Sequence, residues 1–220
     1  PLGEDTLFEI GSISKVFTGL LLADMVLSGA VGYDDTVAKL APEGYSFSER
    51  VGSITLEKLA THTSGLPRLP MDFGSLARGL FADDPYAGTT PGEIFRSVAS
   101  LSDAQLGPRG AFAYSNLGYG LLGQLLAAQA GQDYGLLLTE RVLRPLQLDA
   151  IALGPREADS SRLAQGHDRG RPAAHWTPDA YAPAVGLVAS AGQMLDFIEA
   201  SLRADRPFVA AAQRSPGRSA

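Results

Sequence analysis

Phe8-Glu9-Ile10-Gly11-Ser12-Ile13-Ser14-Lys15-Val16-Phe17-Thr18 is the stretch from which the rest of this 220-residue chain is best read. Thr6 to Ile10 has the look of a short strand. Gly11 turns the chain, and a helix is predicted from about Ser12 to Ser28, with Gly29 as its stop. Val16, Phe17, Leu20, Leu21 and Val26 spread apolar surface so widely around this helix that it should be central to the fold. Residues three apart share a helix face, with Cβ atoms roughly 5 to 6 Å apart, so the Lys15 amine can reach the Ser12 hydroxyl. A serine in a first turn also sits among free backbone N–H groups at the positive helix end, where its own N–H can stabilise an oxyanion. A lysine is a poor base near its ordinary pKa of about 10.4; lowering it by about 3 units takes roughly 4 kcal/mol, which burial can supply. The plainer alternative is that Ser12 caps the helix and Lys15 is a solvated charge.

Outward from that stretch, helix signals dominate. Thr55 can cap a helix over Leu56 to Ala60, which leads into the turn-rich His62-Thr63-Ser64-Gly65-Leu66-Pro67. Thr90-Pro91-Gly92-Glu93 combines a hydroxyl cap, Pro at the first helical position and a Glu three after the cap, predicting a helix through Leu101. Asn116 can cap a long apolar helix to Ala130 ended by Gly131, and Asp133 can cap another to Arg144. Ser190-Ala191-Gly192-Gln193 repeats the capping-box pattern and opens a helix to about Arg203. From Asp205 onward Arg, Pro, Ala, Gly and Ser show little apolar periodicity. The expected organisation is one domain over residues 1–204 and a poorly ordered tail over 205–220.

Composition narrows the function. With 45% hydrophobic and 19% charged residues the chain is an ordinary globule, and 25 Gly with 14 Pro predict many loops. A formal charge of -6 and the absence of a Lys/Arg run argue against nucleic acid as a partner. Without cysteine there is no disulfide, thiolate catalysis or cysteine-ligated zinc. His62, His167 and His175 lack metal-ligand spacing, so no metal and no cofactor is expected. The most apolar run, Val16 to Leu27, is broken by Asp24 and is too short to span a bilayer. Lysine occurs only at positions 15, 39 and 58, which makes Lys15 conspicuous. Tyr114-Ser115-Asn116 is the second place where chemistry could reside. A phenol beside cations can relay protons and an amide can donate to a substrate carbonyl, although core packing for Tyr114 and helix capping for Asn116 are equally open on the residues alone.

The quoted stretch resembles the nucleophile region of class C β-lactamases and their DD-peptidase and esterase relatives. In the same order, Leu59-Ala60-Thr61-His62-Thr63-Ser64-Gly65-Leu66-Pro67 resembles that family's loop signature, and Tyr114-Ser115-Asn116 its Tyr-x-Asn element. Gly166-His167-Asp168, Trp176 and Gly186-Leu187-Val188-Ala189-Ser190 resemble later parts of carboxypeptidase-like members. The resemblance implies an α+β, β-lactamase/transpeptidase-like fold. Ser12 would be the acylated nucleophile, Lys15 and Tyr114 would share general-base and general-acid duties, and Asn116 would help to hold the substrate amide. His62 would shape the cleft edge. The substrate would be a small molecule or peptide: a D-Ala-D-Ala peptide, a β-lactam or an ester, with DD-carboxypeptidase chemistry preferred. A periplasmic or secreted location is also implied, although no charged, apolar leader is visible and a cytoplasmic one stays open. The family's third element, Lys or His followed by Thr or Ser and then Gly, is not found before residue 220. The expectation is therefore mostly the helical lobe, with an incomplete antiparallel sheet, and a serine hydrolase or, as the alternative, a non-catalytic penicillin- or peptidoglycan-binding sensor or an inactive truncated homologue.

Overall fold

The computed structural model describes residues 2–70, 84–156, 159–203 and 205–213. In chain order the elements are β1 (Leu7–Glu9), α1 (Ser14–Leu27), α2 (Val37–Leu40), α3 (Glu49–Gly52), α4 (Leu56–Ala60), α5 (Pro91–Ala99), α6 (Asn116–Ala130), α7 (Tyr134–Leu138), β2 (Ala152–Leu153), β3 (His167–Asp168), β4 (Arg171–Pro172), α8 (Ala182–Val185), β5 (Leu187–Ser190), α9 (Ala191–Arg203) and α10 (Pro207–Gln213). Helices make up about half of the described chain. The sheet is small and antiparallel, in the order β1-β5-β2, with Phe8 opposite Ala189 and Ala152 opposite Val188. β3 and β4 form a separate exposed ribbon.

The core is built on two helices. α6 carries Leu117, Leu121, Leu122, Leu125 and Leu126, all fully buried, and α1 contributes Phe17 and Leu21. Burial of each such side chain contributes roughly 1.5 to 3 kcal/mol. Asp24, which interrupts the apolar run of α1, is answered by Arg141, whose Nε donates to its carboxylate at 2.5 Å. α6 approaches its neighbours closely because three glycines line it. A Cβ on Gly120 would lie 3.1 Å from Ile94, and one on Gly123 only 2.1 Å from the ring of Pro183. Gly118 and Gly120 are thus part of a packing face, and Gly123 lets α8 rest against α6.

Several expected boundaries change. The helix predicted from Ser12 opens as a 3-10 turn over Gly11–Ile13, and α1 proper starts at Ser14. Gly11, at φ 52, makes the bend from β1 into that turn. The capping box at Thr90 and Glu93 forms as predicted, although α5 stops at Ala99. Asn116 is not the cap of its helix. Ser115 is, its Oγ accepting the Gly118 N–H at 2.8 Å, which places Asn116 one residue inside α6 with its amide free for other work. The helix begun at Asp133 passes into a π turn over Thr139–Leu143.

The tail expectation is corrected for residues 207–213. These form α10, which packs on α1 with Phe208 and Val209 buried. Phe208-Val209 supplies one apolar turn, too short for periodicity to register in the sequence. Residues 214–220 of the expected tail lie outside the described residues.

Because the Pro183 ring cannot swing away from an added methyl, Gly123→Ala is expected to lower stability by about 1 to 3 kcal/mol, the usual cost of overpacking. Urea unfolding of the two proteins measures this, and an unchanged midpoint would show that α6 and α8 do not meet as described.

Candidate active site

Four side chains named from the sequence converge where α1, α6 and α8 meet. Ser12, exposed in the 3-10 turn, has its Oγ 2.5 Å from the Tyr114 hydroxyl. The Lys15 amine donates to Ser12 Oγ at 3.2 Å, to Asn116 Oδ1 at 2.9 Å and to the Ala184 carbonyl at 2.7 Å. Lys15 is 6% exposed and Asn116 4%. Asn116 turns its other amide atom to the Tyr86 hydroxyl, donating at 3.0 Å, so its orientation is fixed from both ends.

The sequence builds this in a definite way. Ser14, Lys15 and Thr18 line one side of α1 and face the end of α8. Thr18 Oγ1 donates to the Pro183 carbonyl at 2.7 Å, Lys15 to Ala184, and Ser14 Oγ accepts the Leu187 N–H at 2.9 Å. The last carbonyls of a helix have no partner within it, so α1 supplies the donors that α8 lacks. The Ile10 N–H meanwhile donates to the Leu187 carbonyl at 3.0 Å. Both backbone groups of Leu187 are therefore taken by the segment that carries Ser12.

The loop before residue 70 holds Tyr114 from the other side. Ala113 N–H donates to the His62 carbonyl at 2.7 Å, Ser115 Oγ to the Pro67 carbonyl at 2.7 Å, and the Asn116 and Leu117 amides to the Arg68 carbonyl at 3.0 and 3.1 Å. Gly65 is obligatory in this loop. Its φ is 77, and an added Cβ would lie 2.9 Å from the Gly107 carbonyl. His62 is buried, and its Nδ1 accepts the Ser115 N–H at 3.1 Å. Its ring packs on Tyr114 with centroids 4.5 Å apart. The cleft-edge residue of the sequence reading thus backs the Tyr114 phenol.

Electrostatics single out Tyr114. Partial burial alone would raise its pKa, but the contacts with Lys15 and Ser12 and the charges of Lys15 and Arg68 together hold it below the ordinary phenol value of 10. The Lys15 amine lies 4.8 Å from the Tyr114 ring centroid and the Arg68 guanidinium 5.5 Å. Tyr119 next to it behaves oppositely, pushed up to about 12 by burial. Burial also lowers the pKa of Lys15, opposed by its contact with Tyr114. Yet Lys15 Nζ has three acceptors within reach, which is the full complement of an ammonium. An ammonium beside Tyr114 favours the phenolate, the form of this side chain that can accept a proton.

Arg68 and Tyr86 enlarge the site beyond the sequence reading. Arg68 follows directly on the loop signature and His62 lies within it, whereas nothing around Asp84-Pro85-Tyr86 signals a partner for Asn116. The other motifs lie apart. His167 and Asp168 stand exposed on β3. His175 and the Trp176 N–H engage the Glu9 carboxylate at 2.9 and 2.7 Å, and Trp176 packs edge-on against Tyr86. Among the described residues no cluster of three or more His, Asp or Glu could hold a metal ion. No described helix is long and apolar enough to cross a membrane.

A buried lysine three residues after a first-turn serine, with a tyrosine and an asparagine closing over both, on a helix-dominated fold with a small antiparallel sheet, defines a β-lactamase/transpeptidase-like architecture. The family model described as Beta-lactamase matches residues 1–220, and the chain belongs to that family. It is 28% identical over 204 residues to a β-lactamase of Escherichia coli, covering 92% of this chain and 50% of that protein. It is 31% identical over 202 residues to the D-alanyl-D-alanine-carboxypeptidase/endopeptidase AmpH of Escherichia coli, covering 91% and 50%. A solved β-lactamase/D-alanine carboxypeptidase from Yersinia pestis, complexed with citrate, superposes with a TM-score of 0.76 at 27% identity over 90% of this chain and 54% of that one. A class C β-lactamase from Rhodobacter sphaeroides gives 0.77 at 27% identity over 96% and 56%. The chain spans about half the length of the relatives it matches.

Tyr114 is expected to ionise below 10 when followed by phenolate absorbance as the difference between the chain and its Tyr114→Phe variant. Arg68→Gln removes a cation facing the ring and is expected to shift that ionisation upward. No change in Arg68→Gln would show that the guanidinium does not act on the phenol.

Proposed function

We propose that the chain is a serine hydrolase that works through an acyl-enzyme on Ser12, with a D-Ala-D-Ala-type peptide as the preferred substrate and β-lactams or esters as related ones. The observation that carries this reading is the contact of Ser12 Oγ with both Tyr114 OH and Lys15 Nζ. In the reaction the Tyr114 phenolate takes the Ser12 proton as Oγ bonds to the substrate carbonyl carbon. Negative charge moves to the carbonyl oxygen, where the Ser12 N–H in the exposed first turn is one donor. When the tetrahedral centre collapses, the C–N or C–O bond breaks and Tyr114 returns the proton to the leaving group. Water then gives a proton to the Tyr114 phenolate as its oxygen bonds to the acyl carbon, and the phenol passes that proton to Ser12 Oγ as the acyl C–O bond breaks.

In this scheme Lys15 is the fixed cation that keeps Tyr114 ionisable, so the duties expected of Lys15 and Tyr114 jointly divide between them. Asn116 locks the lysine in place and offers its amide edge to the cleft. The names of the relatives, β-lactamase and D-alanyl-D-alanine-carboxypeptidase, support the substrate class. They also support a periplasmic or secreted site of action, where peptidoglycan-type peptides are met.

Incubation with a fluorescent penicillin is expected to give a covalent adduct on the peptide containing Ser12, absent in Ser12→Ala and formed about 100-fold more slowly in Tyr114→Phe, the scale of a lost general base. Release of D-Ala from a D-Ala-D-Ala peptide is expected to exceed β-lactam hydrolysis. An adduct that persists without any turnover identifies a penicillin-binding sensor, and full activity in Ser12→Ala eliminates the serine mechanism.

A further inference from the structure

We propose that His62 is a positioning residue whose uncharged imidazole, carrying its proton on Nε2, holds Tyr114 against Ser12 by accepting the Ser115 amide and packing on the phenol. The argument begins with the backbone. His62 adopts φ 59, the left-handed region, which few residues other than Gly enter and which His enters more readily than most, so the loop fixes the direction of this side chain. Its ring is surrounded by Tyr114 at 4.5 Å, Tyr119 at 5.0 Å and Phe112 at 5.7 Å, centroid to centroid. Its Nδ1 is 3.1 Å from the Ser115 nitrogen, an amide that can only donate. Nδ1 must therefore present a lone pair.

This fixes one protonation state for the segment that carries the site. Ser115 sits between Tyr114 and Asn116 and caps α6. A proton on Nδ1 would set two donors against each other in a buried place, and residues 113–116 would have to shift. The Tyr114 hydroxyl would then leave Ser12 Oγ, and Asn116 would loosen from Lys15. The titratable groups facing the ring are Lys15 from α1, Tyr119 from α6 and Tyr114. Burial first, and then the Lys15 charge, keep the His62 pKa below the ordinary 6.5. A phenolate at Tyr114 pulls the other way. Since the folded imidazole is held neutral, its contribution is present at neutral and alkaline pH and is lost as pH falls through its lowered pKa. An acid-side decline in acylation would then come from an imidazole that touches no substrate.

The titration test stands on structure alone, whereas the kinetic test rests on the acyl-transfer reading. In nitrogen NMR of the whole chain, with the His62 signals assigned by their loss in His62→Asn, Nδ1 is expected to be unprotonated and to titrate below 6.5. A protonated Nδ1 at neutral pH, or titration at or above the ordinary value, overturns the proposal. Asn places a carbonyl oxygen where Nδ1 stands and tolerates the left-handed backbone. His62→Asn is accordingly expected to keep penicillin labelling within about threefold at alkaline pH and to lose the acid-side decline. His62→Phe, which leaves the Ser115 amide without an acceptor, is expected to lose about tenfold or more at every pH. An acid decline in His62→Asn identical to that of the parent also overturns the proposal. If His62→Phe does not fold, His62→Asn and the titration decide. If the parent chain is never labelled, acyl transfer fails while the titration still judges His62.

Discussion

A lysine ammonium held away from water by three acceptors is the constraint around which this structure is arranged. Removing a charge from solvent is costly unless every proton finds a partner. Lys15 finds one at Ser12 in the 3-10 turn that leads into its own helix, one on α6 at Asn116 and one at the end of α8 at Ala184. Those three elements are far apart in sequence, so the cation can be satisfied only when all are in place. Packing serves the same end: the glycines of α6 let α8 come near enough for its carbonyl to reach the amine. The phenol of Tyr114 benefits twice, since the cation favours its ionised form and the same framework fixes its distance to Ser12.

How much of this could be read from the sequence depends on the range of the interaction. The Ser12 and Lys15 contact spans one helical turn, so residue spacing alone foretold it. The capping boxes at Thr90 and Ser190 were legible for the same reason, being closed within four residues. The placing of Tyr114 and Asn116 against them spans about a hundred residues, and nothing local encodes it; there only the ordered resemblance of three motifs pointed the way. Ser115 and Asn116 illustrate the limit, because both are good caps. Capping by Ser115 frees Asn116 for Lys15, a choice settled by tertiary contacts that propensity does not contain.

Other features had no local signal at all. Tyr86 orients Asn116 from a segment without a recognisable motif. Arg68 adds a second cation above the Tyr114 ring, although in the sequence it is one of many arginines. α10 rests on two apolar residues that bury against α1, and its helix is stabilised by that burial more than by its own composition. The compositional reading of a tail failed at that point because a seven-residue helix with one apolar turn gives almost no periodicity.

Leu187 carries a consequence for how the chain can change in length. Its N–H is held by Ser14 and its carbonyl by Ile10, while Ala184, three residues earlier, holds Lys15. One residue inserted between 184 and 187 would throw the strand out of step with the turn that carries Ser12 or pull the carbonyl off the amine. Either way a deeply buried charge is stranded. This short connection should therefore admit neither insertions nor deletions, nor a larger residue at Gly186, where a Cβ would lie 2.5 Å from the Ala182 backbone, whereas the exposed ribbon of β3 and β4, which touches neither group, can lengthen or shrink freely.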